Sequence, residues 1–280
     1  MRRVRRGQVA RSWLKYLVLC GAVVIALYPI VWMLLGSLNR TSAQLVGAPP
    51  MLPLSSPTLH NYPAAWDNGS GFGRPFLNSV IVTSCQIVLS MLVTSLAGFG
   101  FAKYRFRGRE PLFLVIIALT LLPIQMVIIP LFLVMKHLGW ENSYQGLIVP
   151  TAVGALGVLI MRQFIAGLPD ELIEAARVDG AHDFRIWYRL IVPLTTPALV
   201  TVGVLTGLAS WNQLVWPLVL VSSTSMQTVP LAIASFNSAI SAPLNWLMAM
   251  GTVMVLPPLI AFIASQGRLV QNIAIGSSLK

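Results

Sequence analysis

Long apolar segments, separated by short clusters of charged residues, dominate the pattern of this chain. Four of these segments, residues 16–39, 75–102, 111–135 and 142–161, lack Asp, Glu, Lys and Arg, and each is long enough for one membrane-spanning helix, which requires about 20 apolar residues. They predict helices over residues 16–35, 77–102, 113–135 and 146–165.

A fifth segment, from Leu190 to Gly267, contains no Asp, Glu, Lys, Arg or His and is long enough for three helices. Its middle, residues 222–243, is rich in serine and threonine, which predicts a loop or a re-entrant segment there. Two further helices are then expected over residues 197–221 and 244–265. The backbone polar groups of a lipid-embedded segment must be satisfied internally, so the pattern predicts an all-α membrane protein with six spanning helices.

The distribution of positive charge predicts the orientation of these helices. If the tail of residues 1–15 is cytoplasmic, sixteen of the 19 lysines and arginines fall on the cytoplasmic side, and only Arg40, Arg74 and Lys136 fall outside. Cytoplasmic loops are enriched in lysine and arginine, so both termini are expected to be cytoplasmic. A seventh span would move only Arg268 and Lys280, and the charge count does not exclude it. The first apolar stretch has no small-residue cleavage pattern, which favours an uncleaved helix over a signal peptide.

Composition supports a membrane protein and excludes several other classes. Hydrophobic residues make up 56% of the chain and charged residues 10%, compared with about 25% charged residues in a soluble domain. The net charge of +11 arises mainly from the loops on one side of the membrane, not from one basic face. The predicted environment is therefore the lipid bilayer, and no nucleic-acid partner is expected.

The residues that usually carry catalytic chemistry do not form recognisable motifs. None of the four lysines lies in a phosphate-binding loop, and the two cysteines and three histidines form no metal-binding spacing. We therefore predict no catalytic residue, no metal site and no nucleotide site in this chain. The predicted spans contain no carboxylate, which argues against a proton-coupled carrier, although a sodium site made of carbonyls and hydroxyls stays open.

One cytoplasmic loop, residues 166–193, contains five of the eight acidic residues. Pro169-Asp170 predicts a helix start with Asp170 as its cap, and Gly180 predicts its end. Leu172, Ala175, Ala176 and Asp179 form a shallow stripe along this helix, and a second amphipathic stretch runs from Phe184 to Val192. The pattern alone leaves two interpretations open, namely docking to a partner and an ordinary solvated loop.

The same loop carries a family resemblance. Residues 174–181 (EAARVDGA), followed by Ile191-Val192-Pro193-Leu194 and Pro197, resemble the EAA loop of bacterial ABC-importer permeases. Further signatures resemble carbohydrate permeases, in particular the maltose-permease G type, and are found at Asn78-Ser79-Val80, Leu122-Pro123, Leu138-Gly139-Trp140, Asn142-Ser143-Tyr144, Trp211-Asn212 and Pro217-Leu218. The tail departs from the usual ending of that type at residues 276–280, so a contact between the tail and the ATPase is not implied.

The resemblance implies a function and a set of partners. The chain, residues 1–280, would be a single ABC-importer transmembrane domain in a bacterial inner (plasma) membrane, a transporter subunit and not an enzyme. It would pair with a second homologous permease as a heterodimer, with an ABC ATPase dimer and with an extracytoplasmic substrate-binding protein or lipoprotein. ATP and Mg²⁺ would be bound by the ATPase subunits, and this chain would hold no cofactor. The solute would be a sugar, whose identity the sequence does not give.

The resemblance also implies which residues couple this chain to the ATPase. These residues are Glu174, Ala175, Ala176, Asp179, Gly180, Ala181 and Pro193. Two partners for Glu174 remain open, an arginine of the ATPase and Arg177 one helical turn away.

Polar and aromatic residues of the predicted spans are candidates for the substrate path. The candidates are Gln125, Ser210, Trp211, Asn212 and Gln213. Trp211 and Trp216 are also candidates for stacking on sugar faces. The alternative role for all of them is helix packing or interfacial anchoring, and the resemblance implies that the membrane sugar site lies mainly in the partner permease.

Two other functions are compatible with the same pattern. One is an ABC permease for a non-sugar solute such as a polyamine or phosphate, and the other is a stand-alone ion-coupled secondary carrier. Copurification of an ATPase and a second permease distinguishes the carrier from either permease.

Overall fold

The computed structural model of the chain is built almost entirely from helices. It describes the backbone of residues 2–40, 57–68, 71–237 and 243–278, and the side chains of residues 13–40, 57–66, 71–237 and 243–264. Within these ranges the only extended pairing is a single bridge between Asn39 and Pro57. The departure of the tail at residues 276–280 from the family pattern lies outside the described side chains.

Twelve helices are numbered here in chain order. They are α1 (Arg2–Ser37), α2 (Gly73–Lys103), α3 (Arg109–Leu119), α4 (Ile124–His137), α5 (Tyr144–Ile148), α6 (Ala155–Ala166), α7 (Glu171–Val178), α8 (Asp183–Ile186), α9 (Thr196–Trp211), α10 (Val215–Leu220), α11 (Val229–Asn237) and α12 (Leu244–Ser278). Shorter helical turns lie at Asn61–Pro63, Ala64–Asn68, Val149–Thr151, Trp187–Ile191, Val192–Leu194 and Thr224–Met226.

Three single helices among the described residues are long and apolar enough to cross a membrane. They are Trp13–Ser37 within α1, the whole of α2, and Leu244–Ala264 within α12. Three further segments qualify only as bent pairs of helices, which raises the number of candidate spans to six. An all-helical membrane protein is thereby confirmed, while the count of six and the side on which each terminus lies stay predictions.

The bent pairs show where the structure departs from the straight helices expected from the sequence. The expected span 113–135 consists of α3 and α4, which meet at 101°, because Pro123 has no backbone N–H and disfavours helical geometry at Leu122. The expected span 146–165 is bent by 48° between Thr151 and Ala155. The third bent pair joins Asp183–Leu194 to Thr196–Trp211 at 81°, so the last candidate bent span ends at Trp211 and does not coincide with the expected span 197–221.

By its internal contacts the chain divides into two compact units. The first comprises residues 1–72 and 233–256, and the second comprises residues 73–232 and 257–280. In the first unit, the Asn61 amide donates to the carbonyls of Ser37 and Asn39 at 2.7 Å, and Asn245 donates to Asn61 Oδ1 at 2.9 Å. These bonds join the end of α1 to the following turn and to the start of α12.

In the second unit, α2 packs closely against α6 and α9. A Cβ atom built on Gly98 would lie 2.6 Å from Met161 Cβ and 3.0 Å from the backbone nitrogen of Arg162, so only glycine allows this approach. Across the α2–α9 contact, the hydroxyls of Ser90 and Thr206 are 3.0 Å apart.

Besides a small cluster around Phe113, two groups of buried apolar side chains lie in the second unit. The larger joins α2, α6 and α9 to the loop that contains α7 and α8, and includes Phe99, Met161 and Ile173. The smaller surrounds Trp216, which is fully buried and donates from Nε1 to the carbonyl of Gly146 at 2.9 Å. Trp216 therefore packs inside the protein and is not placed to stack on a sugar.

We predict that Gly98→Ala destabilises the protein, because the added methyl group forces the backbones of α2 and α6 apart. Overpacking of this kind costs about 1–3 kcal/mol. Gly100→Ala is the matched control, since a Cβ at position 100 meets nothing within 4 Å and alanine favours a helix. Thermal unfolding in detergent, followed by tryptophan fluorescence, measures both variants. Equal melting temperatures for the two would show that α2 and α6 do not depend on close contact at Gly98.

Candidate functional site

The loop between α6 and α9 folds into two short helices joined by a tight turn. Helix α7 ends in a Schellman motif, in which Gly180 N–H donates to the Arg177 carbonyl at 3.0 Å and Ala181 N–H donates to the Ala176 carbonyl at 2.9 Å. Gly180 has a φ of +78°, a conformation that glycine adopts without steric cost. The end of the helix at Gly180, expected from the sequence, is therefore confirmed.

Helix α7 has one buried residue and an open apolar face. Ile173 is buried in the core that includes Phe99. On the other side, Leu172 is 42% exposed and Val178 is 88% exposed, with Ala175 exposed between them. Of the predicted stripe, only Ala176 is partly buried, and Asp179 is exposed. The helix is thus fixed on one side and free to contact another molecule on the other.

Glu174 and Arg177 of α7 do not pair with each other, although the sequence left that pair open. Arg177 donates to the Asp183 carboxylate at 3.2 Å, and its guanidinium lies 5.7 Å from the ring centroid of Tyr104. Glu174 is exposed and makes no ion pair with any residue whose side chain is described. The Glu174–Arg177 pair is therefore not formed, because Asp183 on α8 takes the guanidinium.

Lys103, the last residue of α2, holds the start of α7. Its ammonium group donates to the Leu168 carbonyl and to the Asp170 carboxylate, each at 2.5 Å, while its side chain is only 7% exposed. The prediction that Asp170 caps α7 is wrong, because its carboxylate binds Lys103 and makes no cap bond. The Lys103 ammonium lowers the pKa of the Asp170 carboxyl, which therefore stays ionised at neutral pH.

A second bond joins α2 to the helical turn after α8. Trp187 is buried, and its Nε1 donates to Ser95 Oγ at 3.3 Å. Ile186 and Ile191 are buried beside it in the same core. Pro193, by contrast, is exposed, and Ala181 is only partly buried. The loop therefore contacts α2 at two places, Lys103 and Ser95, that lie eight residues apart on the helix.

An ion pair in the neighbouring turn links α3 to α6. Arg162 donates to both oxygens of Glu110 at 2.7 and 2.9 Å, and its guanidinium lies 3.9 Å from the centroid of the Phe113 ring. Arg109 also pairs with Glu110, with its Nη2 2.9 Å from Glu110 Oε1. Both bonds from Arg162 come from one nitrogen, Nη2, and this ion pair fixes the cation of α6 against the start of α3.

The family signature at the other end of α2 proves to be a hydrogen-bonding centre. Asn78 donates to the carbonyls of Ser225 and Gln227 at 2.9 and 2.8 Å and accepts from the Tyr144 hydroxyl at 2.7 Å. Ser79 Oγ accepts from the backbone N–H of Val229 at 2.8 Å. These bonds hold the segment before α11 on α2.

Asn142 holds the residues that follow α10 in place, also through side-chain hydrogen bonds. It has a φ of +49°, and its Oδ1 accepts from the backbone N–H groups of Ser222 and Ser223 at 2.8 and 2.9 Å. The sequence marked Asn142 and Asn78 as signature residues but gave no indication of these partners, which lie 66 or more positions away along the chain.

A cavity of about 210 Å³ lies where α2, α6 and α9 meet, and it is called the polar cavity below because polar side chains form part of its otherwise apolar lining. Its polar lining includes two residues expected on the substrate path, Ser210 and Gln213. Four further polar residues of the predicted spans also line it, namely Gln86, Ser90, Thr151 and Thr206.

The other expected path residues lie elsewhere. Trp211 is buried edge-on against Phe76 and lines a second, apolar cavity of about 390 Å³. Asn212 donates to the carbonyl of Leu208 in its own helix at 2.8 Å. Gln125 is exposed on α4 and lines neither of these two cavities. The structure thus gathers Ser210 and Gln213 at one site and leaves the other three outside it.

Comparison with known proteins agrees with this architecture. The chain is 32% identical over 274 residues to the arabinooligosaccharides transport system permease protein AraQ of Halalkalibacterium halodurans, covering 97% of this chain and 98% of the relative. It is 31% identical over 265 residues to the lactose transport system permease protein LacG of Rhizobium radiobacter, covering 92% and 93%. A chain from the crystal structure of a bacterial ABC transporter involved in the import of the acidic polysaccharide alginate shares the fold, with a TM-score of 0.82, 22% identity, and 91% and 95% coverage.

The family assignment follows from a match that spans most of the second unit. Residues 90–275 match the model of the binding-protein-dependent transport system inner membrane component family. This range includes the two-helix loop, residues 168–194, and its contacts to α2 at Ser95 and Lys103. This chain belongs to that family, as an inner-membrane transporter subunit and not an enzyme.

Proposed function

We propose that this chain is the membrane-spanning permease subunit of an ATP-driven ABC importer, and that it forms part of the path for a sugar delivered by an external binding protein. The observation that carries the proposal is the two-helix loop of residues 168–194. It is bonded to α2 at Lys103 and Ser95, while α7 presents Leu172, Ala175 and Val178 outward. Such a helix can receive a force from a partner on one side and pass it to α2 on the other.

The partner that fits this face is a cytoplasmic ATPase. The chain has no phosphate-binding loop, so ATP and Mg²⁺ would be bound by a separate ATPase dimer. The small and aliphatic side chains of α7 suit a shallow apolar cleft, with the exposed Glu174 available to an arginine at its edge. In this arrangement Glu174, Ala175, Ala176, Asp179, Gly180 and Ala181 form the coupling helix and its turn, and Pro193 ends the loop.

The remaining partners complete an importer. A second homologous permease would pair with this chain, six spans would place both termini in the cytoplasm, and a binding protein or lipoprotein would deliver the solute from outside. The relatives named for arabinooligosaccharides and lactose favour a sugar as the solute.

Reconstitution of the complex tests the function. The chain is coexpressed with its candidate partner permease and ATPase, purified as one complex and placed in liposomes with the cognate binding protein. We expect arabinotriose or lactose to stimulate ATP hydrolysis, and spermidine and phosphate to have no effect. Stimulation by spermidine or phosphate would assign a non-sugar permease, and solute uptake by the chain without any ATPase would assign a secondary carrier.

We predict that Gly180→Val strongly reduces solute uptake while Gly180→Asn retains most of it. A β-branched residue at a φ of +78° is strained by about 1–3 kcal/mol and would reorient α7, whereas asparagine tolerates this conformation. Uptake per ATP hydrolysed is measured in liposomes for both variants. If the two variants were equally active, the shape of the turn at Gly180 would not matter for coupling.

We predict that Lys103→Met lowers uptake per ATP hydrolysed, because Asp170 and the Leu168 carbonyl lose their common donor. The expected decrease is about tenfold, since hydrogen bonds to charged groups contribute about 1.5–3 kcal/mol. Lys103→Arg should recover part of the activity, as arginine keeps the charge.

Arg107→Met is the control for this prediction. Arg107 lies in the same basic turn, is exposed and makes no ion pair with the residues whose side chains are described. Equal uptake for Lys103→Met and Arg107→Met would contradict the role given to Lys103 and leave the permease function intact.

A further inference from the structure

The polar cavity between α2, α6 and α9 has the properties of a ligand site. We propose that this cavity is a solute subsite on this subunit, which binds one hydroxyl-rich ring through Gln86, Thr206 and Gln213. The inference rests on the proposed import function and adds to it a place where this chain itself holds the solute. Its volume of about 210 Å³ is many times the minimum that one water molecule needs.

Gln86 is the central polar group of the cavity. It is 1% exposed, and its amide nitrogen donates to the Leu147 carbonyl and to Thr151 Oγ1, both at 2.9 Å. Its amide oxygen accepts no hydrogen bond from the residues that the structure describes, and because Gln86 lines the cavity this acceptor is available to a hydroxyl donor. Burying such an acceptor without a donor is unfavourable, and a solute hydroxyl would satisfy it.

The backbone beside the cavity is interrupted. The helical turn Val149–Thr151 stops, and α6 starts at Ala155 after a bend of 48°. No side chain caps α6 at Gly154, which itself lines the cavity. Irregular backbone at membrane depth is tolerated where it is buried in protein or lines a cavity, and transporters place solute sites beside such breaks.

The hydroxyl groups of α2 and α9 around the cavity have spare hydrogen-bonding capacity. Ser90 pairs with Thr206 at 3.0 Å, and Ser210 pairs with Thr83 at 3.2 Å. Each hydroxyl offers one donor and two acceptor positions, so one bond across the α2–α9 contact leaves positions for a ligand. Helix packing alone explains these two pairs, but it does not explain the open volume or the buried amide of Gln86 beside them.

The second cavity of this unit provides a natural comparison. It also lies against α2 and α9, but its lining is mainly apolar and includes Ile87, Val204 and Phe262. A sugar ring placed there would lose its hydrogen bonds to water without replacement. Position 204 on α9 therefore serves as a control for position 210 on the same helix.

Thiol labelling in the reconstituted complex tests the proposal. Cys20 and Cys85 are both unpaired and are replaced by serine, after which Ser210→Cys and Val204→Cys are made separately. The probe is a charged methanethiosulfonate reagent, which reacts with water-exposed thiolates.

We expect labelling at position 210 to be about tenfold faster than at position 204, because thiols in apolar surroundings are unreactive. Arabinotriose or lactose should slow the labelling at position 210, and betaine at the same osmolarity should not. Equal labelling at the two positions, or labelling at position 210 that neither sugar slows, would overturn the proposal.

A second variant separates ligand binding from helix packing. Thr206→Val removes one hydroxyl of the cavity, and Thr201→Val removes a hydroxyl that bonds to Pro197 on the same helix and lines neither cavity. We expect Thr206→Val to raise about fivefold the concentration of arabinotriose or lactose that gives half-maximal protection of Ser210→Cys, with no change for Thr201→Val. A lower melting temperature of the complex with unchanged protection would assign Thr206 to packing and refute its role in the subsite.

Failure of the proposed subsite can be distinguished from failure of the proposed import function. Labelling and protection need no ATP hydrolysis, so a failed subsite leaves solute-stimulated ATPase activity in place. A failure of the import function would be seen as the absence of that activity.

Discussion

Close contact between α2 and its neighbours α6 and α9 is the interaction on which the second unit depends. Helices in lipid gain nothing from burying apolar surface against one another, so they associate through small residues and hydrogen bonds. Gly98 brings α2 against the backbone of α6, and the Ser90–Thr206 bond joins α2 to α9. The polar cavity exists because these three helices meet while the backbone before α6 is interrupted.

The same helix connects the two ends of the unit. Its 31 residues, at about 1.5 Å each, span roughly 45 Å. At one end Lys103 and Ser95 bind the two-helix loop, and at the other Asn78 and Ser79 bind the segment before α11. A displacement of the loop would therefore reach both the cavity and the far end through one continuous element. Lys103 is important in this arrangement because it is a buried cation whose two acceptors both belong to the loop.

Much of the fold could be predicted from the sequence, whereas little of the site could. The apolar segments gave the helical membrane class, and Gly180 gave the end of α7, because both depend on residues close together in the chain. Asp170 was predicted to cap its own helix, which is the local choice for an aspartate before a helix. Its carboxylate instead binds Lys103, 67 residues earlier, and local pattern contains no signal for such a pair.

The sequence by itself determined the class of this protein, the resemblance of residues 174–181 to a coupling loop, and Ser210 and Gln213 as candidate polar groups of the path. Only the tertiary structure decided where the helices break, which face of α7 stays open, and that Gln86 and Thr206 share a cavity with those two residues. The physical reason is the distance along the chain between the residues that interact. Helix formation and hydropathy are set by neighbours within a few turns. The hydrogen bonds that build the site, by contrast, join positions separated by about 60 to 150 residues.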